Sequence, residues 1–176
     1  HEIRTPMNGV IGMTSLLKET PLSSEQSTYV ETIRSSGETL LVLINDILDF
    51  SKIESGKIEL EEQEFDPVSC IEETLMLFKP KAQEKKIELL YHVEPTVPRV
   101  VIGDVTRVRQ VVANLVSNAL KFTLQGEIEV VVKHLETQPN SLCTLSIAVR
   151  DTGIGIPEDK RHRLFQPFTR ADETTT

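Results

Sequence analysis

The chain has 176 residues, a net charge of −8, and 39% hydrophobic and 26% charged residues, ordinary figures for a globular protein with room for one domain or two small ones. The acid excess argues against a general nucleic-acid binder, which a phosphate backbone would repel, but leaves room for a local basic pocket that takes one anion. No apolar run reaches the length of a membrane span, and Cys70 and Cys143 match no metal or redox spacing, so both are expected as reduced, buried thiols in a cytosolic compartment.

The chain opens on "HEIRTPMNGVIGM". A zinc-protease helix would carry a second histidine at the fifth position, where Thr5 stands instead. What remains is an imidazole with a carboxylate beside it. That is either a solvated pair or a nucleophile whose other ring nitrogen a carboxylate can orient. Ile3, Met7, Val10, Ile11 and Leu17 fall near one helical face, with His1, Thr5 and Asn8 on another side. Pro6 removes one helical hydrogen bond and is expected to bend the helix. "ETPLSSEQ" then breaks the pattern and offers Ser23 or Ser24 as a cap. A longer helix follows, with Tyr29, Ile33, Leu40, Ile44 and Ile47 at near-heptad spacing and Leu41 and Leu48 widening the stripe. Two such helices read as an antiparallel hairpin. Alone it buries too little surface, so pairing with a second copy into a four-helix bundle is the natural solution.

After "DFSKIESGK" the period changes, and the acidic "KIELEEQEF" reads as a strand or a connector. Asp66-Pro67 gives a cap and a first-turn proline for a helix that carries Ile71, Leu75 and Phe78 inward. "KIELLYHVE" reads as a strand and "PTVPRVVIGD" as a loop with a short strand. A long helix is expected from about Val105 to Phe122. "EIEVVVKHL" and "TLSIAVRD" form two neighbouring strands joined by the polar "ETQPNS" loop. Helices with a largely antiparallel sheet make this part an α+β sandwich.

On the long helix Val105, Val108, Val112, Leu115 and Ala119 are expected to be buried. A second stripe, Arg107, Gln110, Asn114, Asn118 and Lys121, has the same spacing, and no acid occurs from Val105 through Phe122. A solvated helix usually mixes charge signs. Two carboxamides flanked by cations suit a hard cation such as Mg²⁺ that shares its shell with phosphate oxygens. An ordinary amphipathic helix is the plainer alternative. "LSIAVRDTGIGIP" ends a strand in Asp151 and a Gly153-x-Gly155 turn, which permits close backbone approach by a flat ligand. A carboxylate there accepts hydrogen bonds only, so it selects an exocyclic amine such as that of adenine. The turn is neither a dinucleotide-binding nor a P-loop motif, and alone it is weak.

Taken together and in order, these pieces resemble the transmitter core of a sensor histidine kinase, closest to the hybrid type. "HEIRTPMNGVIGM" is similar to that family's H box, "NLVSNALKFT" to its N box, "DTGIGIP" to its G1 box and "LFQPFTRADETTT" to its F box. The resemblance implies a dimerisation and phosphoacceptor hairpin over 1–53, a linker over 54–64 and a Bergerat-type α/β sandwich ATP-binding domain over 65–176. It also implies that His1 is phosphorylated by ATP, with Glu2 as general base. Thr5 would orient water when the enzyme dephosphorylates its response-regulator partner. Asn118 would ligate Mg²⁺, Asn114 would support metal and phosphates, and Lys121 would contact phosphate. Asp151 would bind the adenine amine in a pocket shaped by Gly153 and Gly155, with Phe165 and Phe168 anchoring the ATP lid. The basic run at 160–163 reads as a solvated face, and His92 and His134 as structural.

The implied partners are a second copy and a receiver domain, with no nucleic acid and no membrane contact by this segment. The implied location is cytoplasmic, any membrane anchor of the parent lying outside the chain. The family continues past "DETTT" into a second glycine box and extends before His1, so the chain reads as a piece cut at both ends. On that reading the fragment alone should bind ATP weakly and label poorly; robust labelling of His1 by γ-labelled ATP would overturn this. Two other classes compete: a non-catalytic dimerisation and phosphotransfer module, and a gyrase-like ATPase with water as acceptor.

Overall fold

The computed structural model describes residues 3–137 and 142–163. The chain divides into two compact units, His1–Glu59 and Leu60–Thr176. No helix among the described residues is long and apolar enough to cross a membrane.

The first unit is a helical hairpin of α1 (Arg4–Lys18) and α2 (Ser24–Glu54). Pro6 falls in the first turn of α1, where backbone N–H groups have no intrahelical acceptor, so it removes less than expected from the helix that runs on to Lys18. Ser23, not Ser24, caps α2. Its hydroxyl accepts from the Gln26 N–H at 3.2 Å and the Gln26 side chain accepts from the Ser23 N–H at 2.9 Å, a reciprocal capping box.

Polar contacts tie the helices toward both ends. Lys18 pairs with Glu31 at 2.6 Å near the turn, and Arg4 donates to the Asn45 carboxamide at 2.7 Å toward the open end. Fourteen residues separate the two ties on each helix, so they mark one antiparallel register. Arg34 and Lys18 together hold the Glu31 carboxyl down to about 2. Between the ties α2 approaches α1 at the buried Gly37, where an added Cβ would meet Ile11 Cγ1 at 3.1 Å and Met7 Cε at 3.3 Å.

Gly37→Val should therefore push the helices apart. Overpacking costs about 1–3 kcal/mol, more than the few tenths recovered by replacing a mid-helix glycine with a β-branched residue. Urea unfolding of the hairpin checks this, and an unchanged midpoint would show that the helices yield easily at this point. The predicted heptad stripe of α2 is largely open in the single chain, with Tyr29 at 58%, Ile33 at 50% and Ile47 at 48% exposure. A shallow groove of about 340 Å³ runs along it, lined by Met7, Val10, Ile33, Gly37 and Leu40.

The described residues of the second unit form α3 (Pro67–Lys85), α4 (Val105–Phe122) and the strands β1 (Gln63–Phe65), β2 (Ile87–Val93), β3 (Val101–Gly103), β4 (Gly126–Thr137) and β5 (Cys143–Asp151). The acidic stretch after the hairpin proves to be both connector and strand, since only Gln63–Phe65 pairs, antiparallel to β3. Asp66 caps α3 through the Val68 N–H, with Pro67 in the first turn. The main sheet has the order β2-β4-β5. Its β4–β5 pair is antiparallel, as expected for neighbours joined by a short loop, but β2 and β4 run parallel. The expectation of a largely antiparallel sheet misses this pair because α4 intervenes between its strands, and a crossover helix returns the chain in the same direction.

Ile128, Val130 and Val132 alternate along the central strand β4 and are fully buried. They join Ile71, Leu75 and Ala82 of α3 and Val112, Val116, Ala119 and Leu120 of α4 in one core. Phe78 and Val108 pack on its margin. Leu115, expected inside, is 42% exposed, while Val116 and Leu120 are buried. The buried stripe of α4 is thus rotated by one residue, about 100°, at this point. Cys70 is buried and Cys143 half-buried, and both are free thiols.

Candidate functional site

The helix α4 begins at Asp104, whose carboxylate accepts from the Arg107 N–H at 2.9 Å and from the Glu61 N–H at 3.1 Å. These donors, Arg107 first, stabilise the carboxylate and hold its pKa below the ordinary carboxylate value. The acid-free polar stripe then divides. Arg107 donates to the Gln110 carboxamide at 2.7 Å, so these two residues engage each other. Asn114, Asn118 and Lys121 lie exposed further along, and the Lys121 ammonium stands 5.0 Å from the centroid of its neighbour Phe122.

The end of α4 meets the glycine turn after β5. Ile154 N–H donates to the Phe122 carbonyl at 3.3 Å. An added Cβ on Gly153 would lie 2.5 Å from that same carbonyl oxygen and 2.8 Å from Asp151 Oδ1, so only glycine permits this approach. The Gly153 N–H donates to Asp151 Oδ1 at 2.9 Å, which orients the carboxylate. Thr152 fixes the turn from the other side: its hydroxyl accepts from the Glu127 N–H at 3.0 Å, and its N–H donates to the Glu127 carbonyl at 3.2 Å. Gly155 takes a left-handed φ of 68°. Beside this junction the fully buried Thr123 hydroxyl has no partner among the described residues, the kind of group that a bound polar ligand or water satisfies.

The fold thus brings the end of the carboxamide-bearing helix and the Asp-Gly turn together. Thr5 lies exposed in the first turn of α1. His1, Glu2, Phe165 and Phe168 lie outside the described residues, as does most of the loop between β4 and β5. A separate cleft of about 350 Å³ follows the N-terminal half of α4, lined by Leu60, Val108, Val111, Val112, Leu115 and Ile147 with Asp104 and Arg107. None of the six nucleotide-site residues expected from sequence lines it.

No group of three or more His, Cys, Asp or Glu side chains among the described residues could hold a metal by itself. The exposed carboxamides of Asn114 and Asn118 on an acid-free face instead suit a magnesium ion that would take its remaining ligands from phosphate oxygens and water. Sequence reasoning missed Thr152, Thr123 and Lys85, whose ammonium donates to the Leu120 carbonyl at 2.7 Å. Thr152 had a weak signal in its place inside the glycine turn; Lys85 sits in a charged run that reads as solvated.

Residues 1–56 match the His Kinase A (phospho-acceptor) domain, and residues 103–176 match the histidine kinase-, DNA gyrase B-, and HSP90-like ATPase family. The whole chain is 43% identical to a tenth of hybrid signal transduction histidine kinase L of Dictyostelium discoideum. Over 98% of its length it is 44% identical to 19% of the signal transduction histidine-protein kinase BarA of Escherichia coli K12. The chain therefore spans a fifth or less of these curated relatives. Among solved structures, full-length ShkA in complex with AMPPNP matches 98% of this chain and 36% of its own, at 37% identity and a TM-score of 0.81. The histidine kinase ThkA in complex with the response regulator TrrA matches 97% of this chain and 48% of its own, at 26% identity and a TM-score of 0.63.

Proposed function

The chain belongs to the sensor histidine kinases as a transmitter core, and from that premise we propose that it phosphorylates itself on His1 with ATP and passes the phosphoryl group to an aspartate of a receiver domain. The observation that carries this reading is the junction at Phe122, where the end of α4 and the Asp151 turn are hydrogen-bonded to each other.

Asp151 accepts the adenine amine with the carboxylate oxygen that Gly153 leaves free, while Gly153 and Gly155 keep the pocket open to a flat ring. Asn118 would hold Mg²⁺, Asn114 would support the metal and phosphates, and Lys121 would meet a phosphate. When bound, the ion would supply positive charge to offset the negative charge of the phosphate oxygens. His1 Nε2 attacks the γ-phosphorus: an N–P bond forms, the bond to the β,γ-bridging oxygen breaks, and that oxygen leaves on ADP. Glu2 takes the proton from Nδ1. In the reverse service Thr5 orients the water that releases phosphate from the partner's aspartate.

The domains are assigned as a hairpin over 1–53, a linker over 54–64 and an ATP-binding domain over 65–176. The open Tyr29, Ile33 and Ile47 stripe supports a homodimer through the hairpin, since a second copy would cover it. A cytoplasmic location follows from the substrates, ATP and a receiver domain.

Incubating the full-length protein with γ-labelled ATP tests the reading. A phosphoramidate gives a label that acid removes and base spares. An acid-stable label, or phosphate release with no label, would replace it with an ester-forming kinase or a gyrase-like ATPase. Labelling only when a second kinase is added would leave the chain as a phosphotransfer module.

A further inference from the structure

The carbonyl groups at the end of α4 have distinct partners. Ala119 accepts from the Thr123 N–H at 2.9 Å, and Phe122 from the Ile154 N–H at 3.3 Å. Leu120 accepts at 2.7 Å from Lys85, a half-buried side chain on a different element, the last turn of α3. A cation at the carboxyl end of a helix also meets the negative end of its dipole. The Leu120 side chain is fully buried, so losing this donor leaves a carbonyl with little access to water as a substitute.

The location gives the bond its consequence. Leu120 follows Asn118 by two residues and precedes Phe122 by two. The direction of its carbonyl fixes the last turn, and with it both the face that carries Asn118 and Lys121 and the oxygen that receives the Asp151 turn.

From this geometry we infer that Lys85 is a positioning residue for the nucleotide site. It touches no ligand; it holds the carboxamide helix in the one orientation that keeps its polar face in register with the Asp151 turn. The inference rests on the nucleotide reading above and adds a residue that this reading does not use.

Lys85→Met keeps the aliphatic stem and removes the donor, whereas Lys85→Arg keeps a donor. In the full-length protein, Lys85→Met should raise the KM for ATP in His1 labelling about tenfold with kcat within about twofold of wild type, and Lys85→Arg should recover most of the loss. A fluorescent ATP analogue should reproduce the same ranking by direct binding. A purely structural role would shrink the folded fraction, lowering kcat and leaving KM in place. That outcome, or an unchanged KM in Lys85→Met, overturns the inference while the nucleotide reading stands. Absence of nucleotide binding by the wild-type protein overturns both.

Discussion

Asp151→Asn is expected to weaken nucleotide binding about 100-fold while leaving the unfolding midpoint almost unchanged. Asp151 lies exposed at the end of β5, opposite Ile128, and contributes nothing to the core. One carboxylate oxygen is committed to the Gly153 N–H at 2.9 Å. A carboxamide oxygen serves that bond equally well, so the turn survives the substitution. The carboxamide nitrogen then occupies the position of the second oxygen and presents hydrogens to the adenine amine, a donor facing a donor. The loss is thus one charge-assisted bond plus an unsatisfied donor, together about 2–3 kcal/mol, and each 1.4 kcal/mol is a factor of ten. Titration with a fluorescent ATP analogue measures it directly. Binding within about threefold of wild type would remove Asp151 from the adenine site, because no carboxylate-specific contact could be that small.

The elements were legible wherever local signals were strong. The bounds of α4, a serine cap at Ser23 or Ser24 and the Asp66-Pro67 start follow from side chains that act within four residues of themselves. The parallel pairing of β2 with β4 was not legible, because strand direction depends on what lies between the strands rather than on their own alternation. Leu115 was misplaced for a related reason. Two apolar positions one residue apart on a helix both fit a broad stripe, and only the packed sheet decides which faces inward. Among the site residues, the Asp151 turn and the acid-free stripe were visible as departures from ordinary composition. The contacts that join them were not, since Phe122 and Leu120 act through backbone carbonyls that every residue carries.

His1→Gln should abolish labelling altogether and leave nucleotide affinity within about twofold of wild type, because glutamine offers no basic nitrogen to attack phosphorus while the nucleotide contacts belong to other residues. The comparison with Asp151→Asn gives the result its force, since at limiting ATP both variants lower the label but only Asp151→Asn weakens nucleotide binding. A water-accepting ATPase would behave otherwise: His1→Gln would release phosphate at the wild-type rate, and labelling would be absent before the substitution as well as after. The two variants also complement each other if the hairpin pairs with a second copy. A mixed dimer contains one chain with an intact imidazole and one with an intact nucleotide site. Label on the Asp151→Asn chain of that dimer requires transfer between subunits, whereas an unlabelled mixture of proven heterodimers requires transfer within one chain. Each outcome fixes which Asp151 turn serves which His1.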